Sequence, residues 1–344
     1  MKTPLRSGSP GAYGADGNRR NPQPRYRMLV SDIDGTLLTS DAVLPDEVRA
    51  TILEARRAGI VVTVATGRRY VTTEKVLRDL ELHGPWCGAD ESTGARARRA
   101  LRTPPVIVQT GAIVTSSDGH TTLFRDPLPQ ADAQTALDIL VDAGLQPIVY
   151  ENRVLDQHLL TGPAEFDSPS AALYLNYNPD LVVRLPYEKL IADGDPLQLA
   201  VIDRHERLEP VVPRLESVNC RTLLSYSGNV ESSFMEVFHK DCSKGHAVAR
   251  IARYLGFSLD EVVCIGDNWN DTEMLAIAGC GIAVANAAPE IAIHARRRTV
   301  SNNEQAVAQV LRQMMAGEEP GYANPAFGPG RPTRTSVEGG RSVA

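Results

Sequence analysis

The sequence lacks the features that mark membrane and secreted proteins. No run among its 344 residues approaches 18 apolar positions, so no membrane-spanning helix is predicted. The first 25 residues contain no apolar stretch of the kind that forms the centre of a secretory signal. The five cysteines (Cys87, Cys220, Cys242, Cys264 and Cys280) form no C-x-x-C pair and are odd in number. Scattered thiols in a reducing cytoplasm are therefore expected, rather than disulfides or a zinc site.

Positive charge is not in excess either. The chain has 36 Lys and Arg against 42 Asp and Glu, and its net charge is −6 at pH 7. This balance disfavours a nucleic acid or an anionic membrane as the main partner. A hydrophobic content of 42% and a charged content of 23% are ordinary for a globular protein. Because 344 residues exceed the usual size of a single core, two domains are expected.

Short apolar runs alternate with amphipathic helices in two separated blocks of the chain. The first block has predicted strands at 28–33, 60–65 and 106–108 and predicted helices at 45–58 and 69–82. The second has predicted strands at 262–265 and 282–284, with helices at 243–255, from 271, and around 307–314. Strand-helix repetition of this type implies right-handed crossovers and an open parallel sheet, whose ligands bind beyond the carboxyl ends of the strands.

The residues between the two blocks carry a different pattern. They contain a predicted helix at 130–143 and strand candidates at 147–150, 171–175, 197–202 and 234–238. The sequence therefore predicts an α/β fold, with a Rossmann-like doubly wound parallel sheet core and an inserted α+β cap domain. The core is expected at 26–111 and 239–316, and the cap at 112–238. Segments rich in Gly, Pro, Arg and Ser predict disordered tails at 1–25 and 317–344 and a loop or partly helical insertion at 83–105.

Two carboxylates follow the first predicted strand, in the pentapeptide Asp32-Ile33-Asp34-Gly35-Thr36. Negative charge at the end of a buried strand is costly unless a positive group lies beside it, and hard oxygen ligands favour Mg²⁺. Two acids at one metal suggest phosphoryl transfer, with one as nucleophile and the other as proton donor and acceptor. On these residues alone, a strand followed by an ordinary Asp-Gly turn explains the pattern equally well.

Three further polar groups occur at matching places in the two blocks. Thr66-Gly67-Arg68 directly follows an apolar strand and offers a hydroxyl and backbone N–H groups to an anion. Lys244 opens a helix, where an ammonium and a helix N-terminus can both face a phosphate. The segment 266–271 places two Asp and two Asn after a buried strand. Taken one at a time, the three motifs are explained by a helix cap, a surface lysine and a turn. Taken together, they provide the groups that are needed to bind Mg²⁺ and a phosphate.

With these motifs in view, the chain resembles the haloacid dehalogenase superfamily of phosphohydrolases, and within it the Cof-type branch of subfamily IIB, which has a C2B cap. The resemblance rests on SDIDGTLL (31–38), ATGR (65–68), CSKG (242–245) and GDNWND (266–271), and more weakly on ANAAPEI (285–291) and TVSNNE (299–304). It covers the two core blocks, whereas the middle of the chain resembles the family only in size and alternation.

The resemblance implies a role for each motif residue. Asp32 would attack phosphorus and form an aspartyl-phosphate, and Asp34 would protonate the leaving oxygen and then activate water. Mg²⁺ would be held by the Asp32 carboxylate, the backbone carbonyl of Asp34 and Asp267, while Asp271 supports the metal shell or orients the lysine. The phosphoryl oxygens would be bound by Thr66, Gly67, Lys244 and Asn270.

One departure from the family and several alternatives stay open. Thr110-Gly111-Ala112 stands where the family has Asn-Gly-Ala, so a substrate contact by that Asn is not expected here. The leading prediction is a Mg²⁺-dependent phosphatase that acts on a small phosphorylated metabolite, as a monomer or weak homo-oligomer. A phosphomutase of the phosphomannomutase type and a non-catalytic binding protein on the same fold are the alternatives. Hexose phosphates, flavin mononucleotide and pyridoxal phosphate all remain possible substrates.

Overall fold

The computed structural model describes residues 25–84, 103–192, 194–226 and 232–327. Most of the predicted tails, most of the predicted insertion at 83–105, and Cys87 lie outside these residues. The four described cysteines are free thiols, as the sequence predicts. No helix in the described part of the chain is long and apolar enough to cross a membrane.

Strands and helices alternate along the described chain. The strands are β1 (Met28–Ser31), β2 (Val61–Val64), β3 (Pro105–Val108), β4 (Ile113–Ser116), β5 (Thr122–Arg125), β6 (Ile148–Tyr150), β7 (Leu159–Thr161), β8 (Val182–Arg184), β9 (Gln198–Asp203), β10 (Cys220–Tyr226), β11 (Ser233–His239), β12 (Val262–Gly266), β13 (Cys280–Ala283), β14 (Arg297–Arg298) and β15 (Tyr322–Ala323). The α-helices are α1 (Asp46–Arg57), α2 (Tyr70–Asp79), α3 (Gln130–Asp142), α4 (Pro169–Asn176), α5 (His205–Leu208), α6 (Val212–Leu215), α7 (Lys244–Leu255), α8 (Thr272–Ile277), α9 (Pro289–Ala292) and α10 (Ala306–Ala316).

The first sheet is parallel except at one edge, in the order β15-β14-β13-β12-β1-β2. Strand β3 continues the sheet beside β2 through a parallel bridge between Ala65 and Ile107. Every residue of β1, β2 and β12 is buried, which is why these strands are near-continuous apolar runs rather than alternating ones. The predicted doubly wound α/β core is confirmed, and the ends of β1, β2 and β12 lie side by side.

The second sheet has the order β10-β11-β9-β6-β7-β8 and is antiparallel except between β7 and β8. Alternate residues face opposite sides, as the pleat requires. Leu199 and Val201 of β9 share one apolar cluster with α3, whereas Ala200 and Ile202 share another with α4. We call this sheet and the helices packed on it, residues 128–239, the cap.

Strands β4 and β5 lie in neither of these sheets. They form an antiparallel meander with β3, and Ile113 and Val114 pack in the core cluster. The domain division predicted at residue 112 stays a prediction. Because β4 and β5 continue from a core strand, we propose that the chain enters the cap after Arg125, not at residue 112.

One prediction for the cap, the strand at 171–175, is wrong. Residues 171–175 lie in helix α4, not in a strand. The Ser168 hydroxyl accepts a hydrogen bond from the N–H of Ala171 at 3.0 Å, and Pro169 occupies the first turn. Ser followed by Pro is a helix-start signal. The apolar residues that follow Pro169 favour a strand only if the preceding Ser-Pro pair is ignored.

Residues 317–327, which the sequence assigns to a disordered tail, instead pack on the core. Strand β15 pairs with β14, and the Asn324 side chain donates hydrogen bonds to the carbonyls of Ala292 and Ala295, both at 2.8 Å. The Tyr26 hydroxyl donates to Glu319 at 2.7 Å and ties this segment to the start of β1. These contacts are long-range, so local composition could not reveal them.

Candidate active site

The predicted site residues converge at the carboxyl edge of the first sheet. Asp32 follows β1, Thr66 follows β2 by two residues, and Asp267 follows β12. These three strands are neighbours and run parallel, so their ends meet at one edge. Lys244 reaches the same edge from the first turn of α7, which begins after the Ser243 hydroxyl accepts from the N–H of His246 at 2.9 Å.

A buried lysine lies between two buried carboxylates. Lys244 Nζ is 2.6 Å from Asp32 Oδ1 and 2.7 Å from Asp271 Oδ1, and neither Lys244 nor Asp271 has any exposed surface. Burial raises the pKa of Asp32, and the ammonium of Lys244 opposes that rise. Burial by itself lowers the pKa of Lys244, but Asp271 and Asp32 together raise it above its ordinary value. The lysine is therefore charged, and its ammonium partly offsets the cost of burying the two carboxylates beside it.

The second acidic loop is ordered by Asp271. Its Oδ2 atom accepts from the backbone N–H groups of Asp267 and Asn268, both at 3.0 Å. Since Oδ1 accepts from Lys244, both oxygens of Asp271 are occupied. Asp267 instead accepts at Oδ1 from the Thr36 hydroxyl at 2.7 Å, and within the described residues nothing donates to its Oδ2. Burial, and next the charge of Asp271, raise the pKa of Asp267 to about 6.

Asp32, Asp267 and Asp271 form a group whose carboxylate oxygens lie within 4.8 Å of one another. Lys244 balances one of the three negative charges, so a divalent cation would balance the remaining two. One carboxylate oxygen of Asp32 and one of Asp267 accept no hydrogen bond from the described residues. The backbone carbonyl oxygen of Asp34 accepts none from them either. This all-oxygen donor set suits Mg²⁺, which requires few protein ligands beside water and phosphate. The residues present therefore fit the predicted ion.

Asp34 differs from Asp32 in its surroundings. Its carboxylate is exposed and receives two hydrogen bonds from the Arg68 guanidinium, one of them from Nε at 2.7 Å. Directly after Asp34 the backbone turns at Gly35, where φ is +75° and a Cβ atom would lie 2.4 Å from Asp267 Oδ2. One strand end thus presents one buried and one accessible carboxylate.

The predicted phosphate-binding residues surround Gly67. A Cβ atom there would lie 3.4 Å from the Asn270 amide nitrogen and 3.5 Å from the Thr110 hydroxyl. The Thr66 hydroxyl, which is buried, accepts from the N–H of Arg68 at 3.1 Å. Asn270 Oδ1 and Thr110 Oγ1 are buried without a hydrogen-bond partner among the described residues. Unpaired polar atoms around an open glycine are consistent with a polar ligand there.

A cavity of about 360 Å³ lies between this edge of the core and the cap. The core side is lined by Asp32, Asp34, Thr66, Gly67, Arg68, Arg69, Thr72, Asn268 and Asn270. The cap side is lined by Tyr150, Tyr174, Asn178, Gln198, Phe234 and Glu236. The predicted site residues Lys244, Asp267 and Asp271 are not among the lining residues, and Lys244 contacts the lining residue Asp32.

Other polar residues of the cap, Glu151, Arg153 and His158, are not among the residues that line the cavity. Glu151 and His158 pair with each other at 2.9 Å, and Arg153 is 3.7 Å from Glu151. Sequence reasoning missed Glu236 and Gln198, which alternate with core-facing apolar residues on β11 and β9. The available signal was a charged residue inside an otherwise apolar strand, in the run Phe234-Met235-Glu236-Val237-Phe238.

The chain belongs to the haloacid dehalogenase-like hydrolases, because the model of that family matches residues 29–311. The predicted enzyme class, a phosphatase of this superfamily, is confirmed. It is 28% identical over 298 residues to YxeH of Bacillus subtilis, to which a phosphatase activity is assigned provisionally; the match covers 84% of this chain and 98% of YxeH. It is 24% identical over 311 residues to the 5-amino-6-(5-phospho-D-ribitylamino)uracil phosphatase YwtE of Bacillus subtilis, covering 85% of this chain and 99% of that relative.

Among solved structures, the subclass IIB sugar phosphatase BT4131 superposes with a TM-score of 0.64 at 20% identity. The match covers 83% of this chain and 98% of that protein. At this identity the likeness concerns the fold. It confirms the predicted fold, a doubly wound core with an inserted cap.

Proposed function

We propose that the protein hydrolyses a small phosphomonoester in a Mg²⁺-dependent reaction through an aspartyl-phosphate. The observation that carries this proposal is the ion-paired group at the end of β1, in which Lys244 holds Asp32 beside Asp267 and Asp271. A nucleophilic carboxylate must be ionised, and here a buried one has a charged lysine at 2.6 Å. The names of the relatives YxeH and YwtE support a phosphatase.

The ion would be held by the free carboxylate oxygens of Asp32 and Asp267 and by the backbone carbonyl of Asp34. Mg²⁺ bound there would neutralise charge on the phosphoryl group and on the two acids. Asp271 already accepts at both oxygens, from Lys244 and from two backbone N–H groups, so it has less capacity for direct coordination than Asp32 or Asp267. We assign it the positioning of Lys244 and of the loop that carries Asp267.

In the first step an oxygen of Asp32 forms a bond to phosphorus while the bond from phosphorus to the leaving oxygen breaks. Asp34 gives its proton to that oxygen, so the alcohol departs neutral. In the second step Asp34, now ionised, takes a proton from water as the water oxygen bonds to phosphorus and the Asp32–phosphorus bond breaks. Lys244 and the N–H groups after Thr66 stabilise the charge on the phosphoryl oxygens.

Arg68 holds the Asp34 carboxylate. Its guanidinium donates one hydrogen bond to each of the two Asp34 oxygens. For the first step Asp34 must leave Arg68 and carry a proton. A phosphorylated substrate supplies a competing partner for the guanidinium, so substrate binding releases the acid.

The proposal is tested with purified protein and 4-nitrophenyl phosphate. We expect Mg²⁺-dependent phosphate release that EDTA abolishes and added Mg²⁺ restores. Asp32→Asn should reduce release by a factor of about 10⁴ or more, in the range seen when a covalent nucleophile is lost. The exposed Asp41→Asn variant is the matched control and should keep full activity. Unchanged turnover by Asp32→Asn would show that this residue is not the nucleophile.

The same assay separates hydrolysis from phosphoryl transfer between sugars. Hydrolysis releases one inorganic phosphate for each substrate consumed and needs no activating bisphosphate. A phosphomutase would consume a sugar phosphate without stoichiometric phosphate release. We further propose a cytoplasmic location, which the free thiols of the four described cysteines support.

A further inference from the structure

The cap contributes one carboxylate to the cavity that the proposed chemistry does not use. Glu236 lies on β11, and its residue is only 7% exposed. Its Oε1 atom accepts one long hydrogen bond, from Gln198 Nε2 at 3.3 Å. Among the described residues nothing donates to Oε2, and no Lys, Arg or His forms an ion pair with Glu236. A buried carboxylate with so few partners is rare in the absence of a function.

An amide relay fixes the position of this carboxylate. Gln157 donates to Gln109 Oε1 at 3.1 Å, and Gln109 donates to Gln198 Oε1 at 3.3 Å. Because the oxygen of Gln198 is occupied in this way, its nitrogen is directed at Glu236. Gln109 follows core strand β3, whereas Gln157 and Gln198 belong to the cap. The relay therefore fixes the position of the Glu236 carboxylate both within the cap and relative to the catalytic edge of the core.

A buried guanidinium faces the same cavity from the core. Arg69 is 4% exposed and donates to Asn178 Oδ1 at 2.5 Å and to the Gln157 carbonyl at 3.5 Å. No carboxylate pairs with it within the described chain, and its remaining N–H groups have no acceptor there. The cavity thus presents a group that can only donate and another that accepts.

The two groups together select the ligand chemistry. A hydroxyl can accept from a guanidinium and donate to a carboxylate, so a polyhydroxy compound satisfies both. A leaving group with an ammonium would meet Glu236 but would be repelled by Arg69. A second anion would meet Arg69 but would be repelled by Glu236. The volume of about 360 Å³ lies at the small end of ligand sites, which disfavours a nucleotide.

We propose that Glu236 is a specificity-determining residue that accepts a hydrogen bond from a hydroxyl of the leaving group, and that the substrate is the monophosphate of a small polyhydroxy compound. This inference rests on the proposed phosphatase function. Phe234 and Tyr174, whose rings meet edge-on at 5.9 Å, supply the apolar wall for the carbon skeleton.

The test compares two kinds of substrate in the wild-type and Glu236→Gln proteins. 4-Nitrophenyl phosphate has no hydroxyl that could donate a hydrogen bond to Glu236, whereas glycerol 1-phosphate, ribose 5-phosphate and glucose 6-phosphate have several. We expect the wild-type protein to prefer at least one of the polyol phosphates. For that substrate Glu236→Gln should lower kcat/KM about 10- to 100-fold, mainly through KM, with less than a twofold change for 4-nitrophenyl phosphate. Glu151→Gln, which alters a cap carboxylate outside the cavity wall, should change neither.

A second measurement changes the substrate as well as the protein. Deoxy analogues of the preferred polyol phosphate should lose activity at one hydroxyl position in the wild-type protein, and Glu236→Gln should no longer discriminate at that position. An equal loss on both kinds of substrate would assign Glu236 a structural role and overturn the proposal. Hydrolysis of 4-nitrophenyl phosphate with a preference for aromatic phosphates such as pyridoxal phosphate would overturn it while leaving the phosphatase function intact. Absence of any Mg²⁺-dependent hydrolysis would overturn both.

Discussion

Lys244 Nζ lies 2.6 Å from Asp32 Oδ1 in an ion pair that is closed off from solvent on the lysine side. The same ammonium contacts Asp271, so its removal would leave two buried carboxylates without compensation. Breaking a buried pair by deleting one partner costs about 3–5 kcal/mol, because the remaining charge stays in a low-dielectric setting. The lysine therefore serves the fold as well as the chemistry.

We predict that Lys244→Met abolishes phosphatase activity and lowers the free energy of unfolding by about 3 kcal/mol. Urea unfolding followed by circular dichroism measures the second effect. Lys240→Met, which removes an exposed lysine four residues earlier, is the control and should change stability by less than about 0.5 kcal/mol. A Lys244→Met protein of wild-type stability would mean that the fold does not need this ammonium to offset the burial of Asp32 and Asp271.

Gly35 directly follows Asp34 and lies against Asp267. Its φ is +75°, and an added Cβ would be 2.4 Å from Asp267 Oδ2, the oxygen proposed for the metal. Gly35→Ala should therefore displace the Asp267 carboxylate and raise the Mg²⁺ concentration needed for half-maximal activity about tenfold or more. The backbone strain alone should cost about 1 kcal/mol of stability.

Gly317→Ala separates these two effects. Gly317 has a similar φ of +74° but no atom within 4 Å of the added Cβ. It should lose comparable stability in a thermal melt without any change in the Mg²⁺ requirement. If both variants needed the same Mg²⁺ concentration as the wild-type protein, the placement of Asp267 as a metal ligand would be wrong.

The catalytic edge could be predicted from the sequence, whereas the substrate wall could not. Asp32, Thr66 and Asp267 each follow a recognisable apolar strand, and parallel strands place their carboxyl ends together. Glu236 sits in an apolar strand too, but period-2 alternation does not say which face meets the core. Its role depends on Gln109 and Gln198, residues 89 positions apart that only tertiary packing brings together.

Thr110, where the sequence departs from the family pattern, has an unusual backbone conformation. Thr110 adopts φ 56° and ψ 20°, a left-handed conformation that β-branched residues tolerate poorly, and its buried hydroxyl has no partner among the described residues. Asn, the residue that the family has here, adopts this conformation more readily. The resemblance to the family pointed to this difference, and the structure adds the backbone conformation that Thr110 adopts.

We therefore predict that Thr110→Asn stabilises the protein by about 0.5–1 kcal/mol, seen as a rise in the melting temperature. Thr115→Asn is the matched control: Thr115 is also buried but lies in strand β4, so the same exchange there should destabilise. A fall in melting temperature for Thr110→Asn would indicate that the threonine side chain has a packing role that outweighs the strain.

The last prediction concerns how far the buried Glu236 lowers the free energy of unfolding. Burial raises the pKa of Glu236 to about 7, against the opposing effects of the Gln198 hydrogen bond and the charge of Lys244. A carboxyl whose pKa is raised in the fold contributes its full stability below the unfolded value of 4.5, and that contribution is lost as pH rises through about 7. Glu236→Gln removes this loss, so it should match the wild-type protein near pH 4.5 and exceed its stability at pH 8.5 by up to about 3 kcal/mol. Paired urea titrations at the two pH values measure the difference, and Glu151→Gln controls for the loss of one cap charge. A pH-independent difference would mean that Glu236 is ionised at ordinary cost, and the case for a carboxylate kept in the cavity for its ligand would weaken.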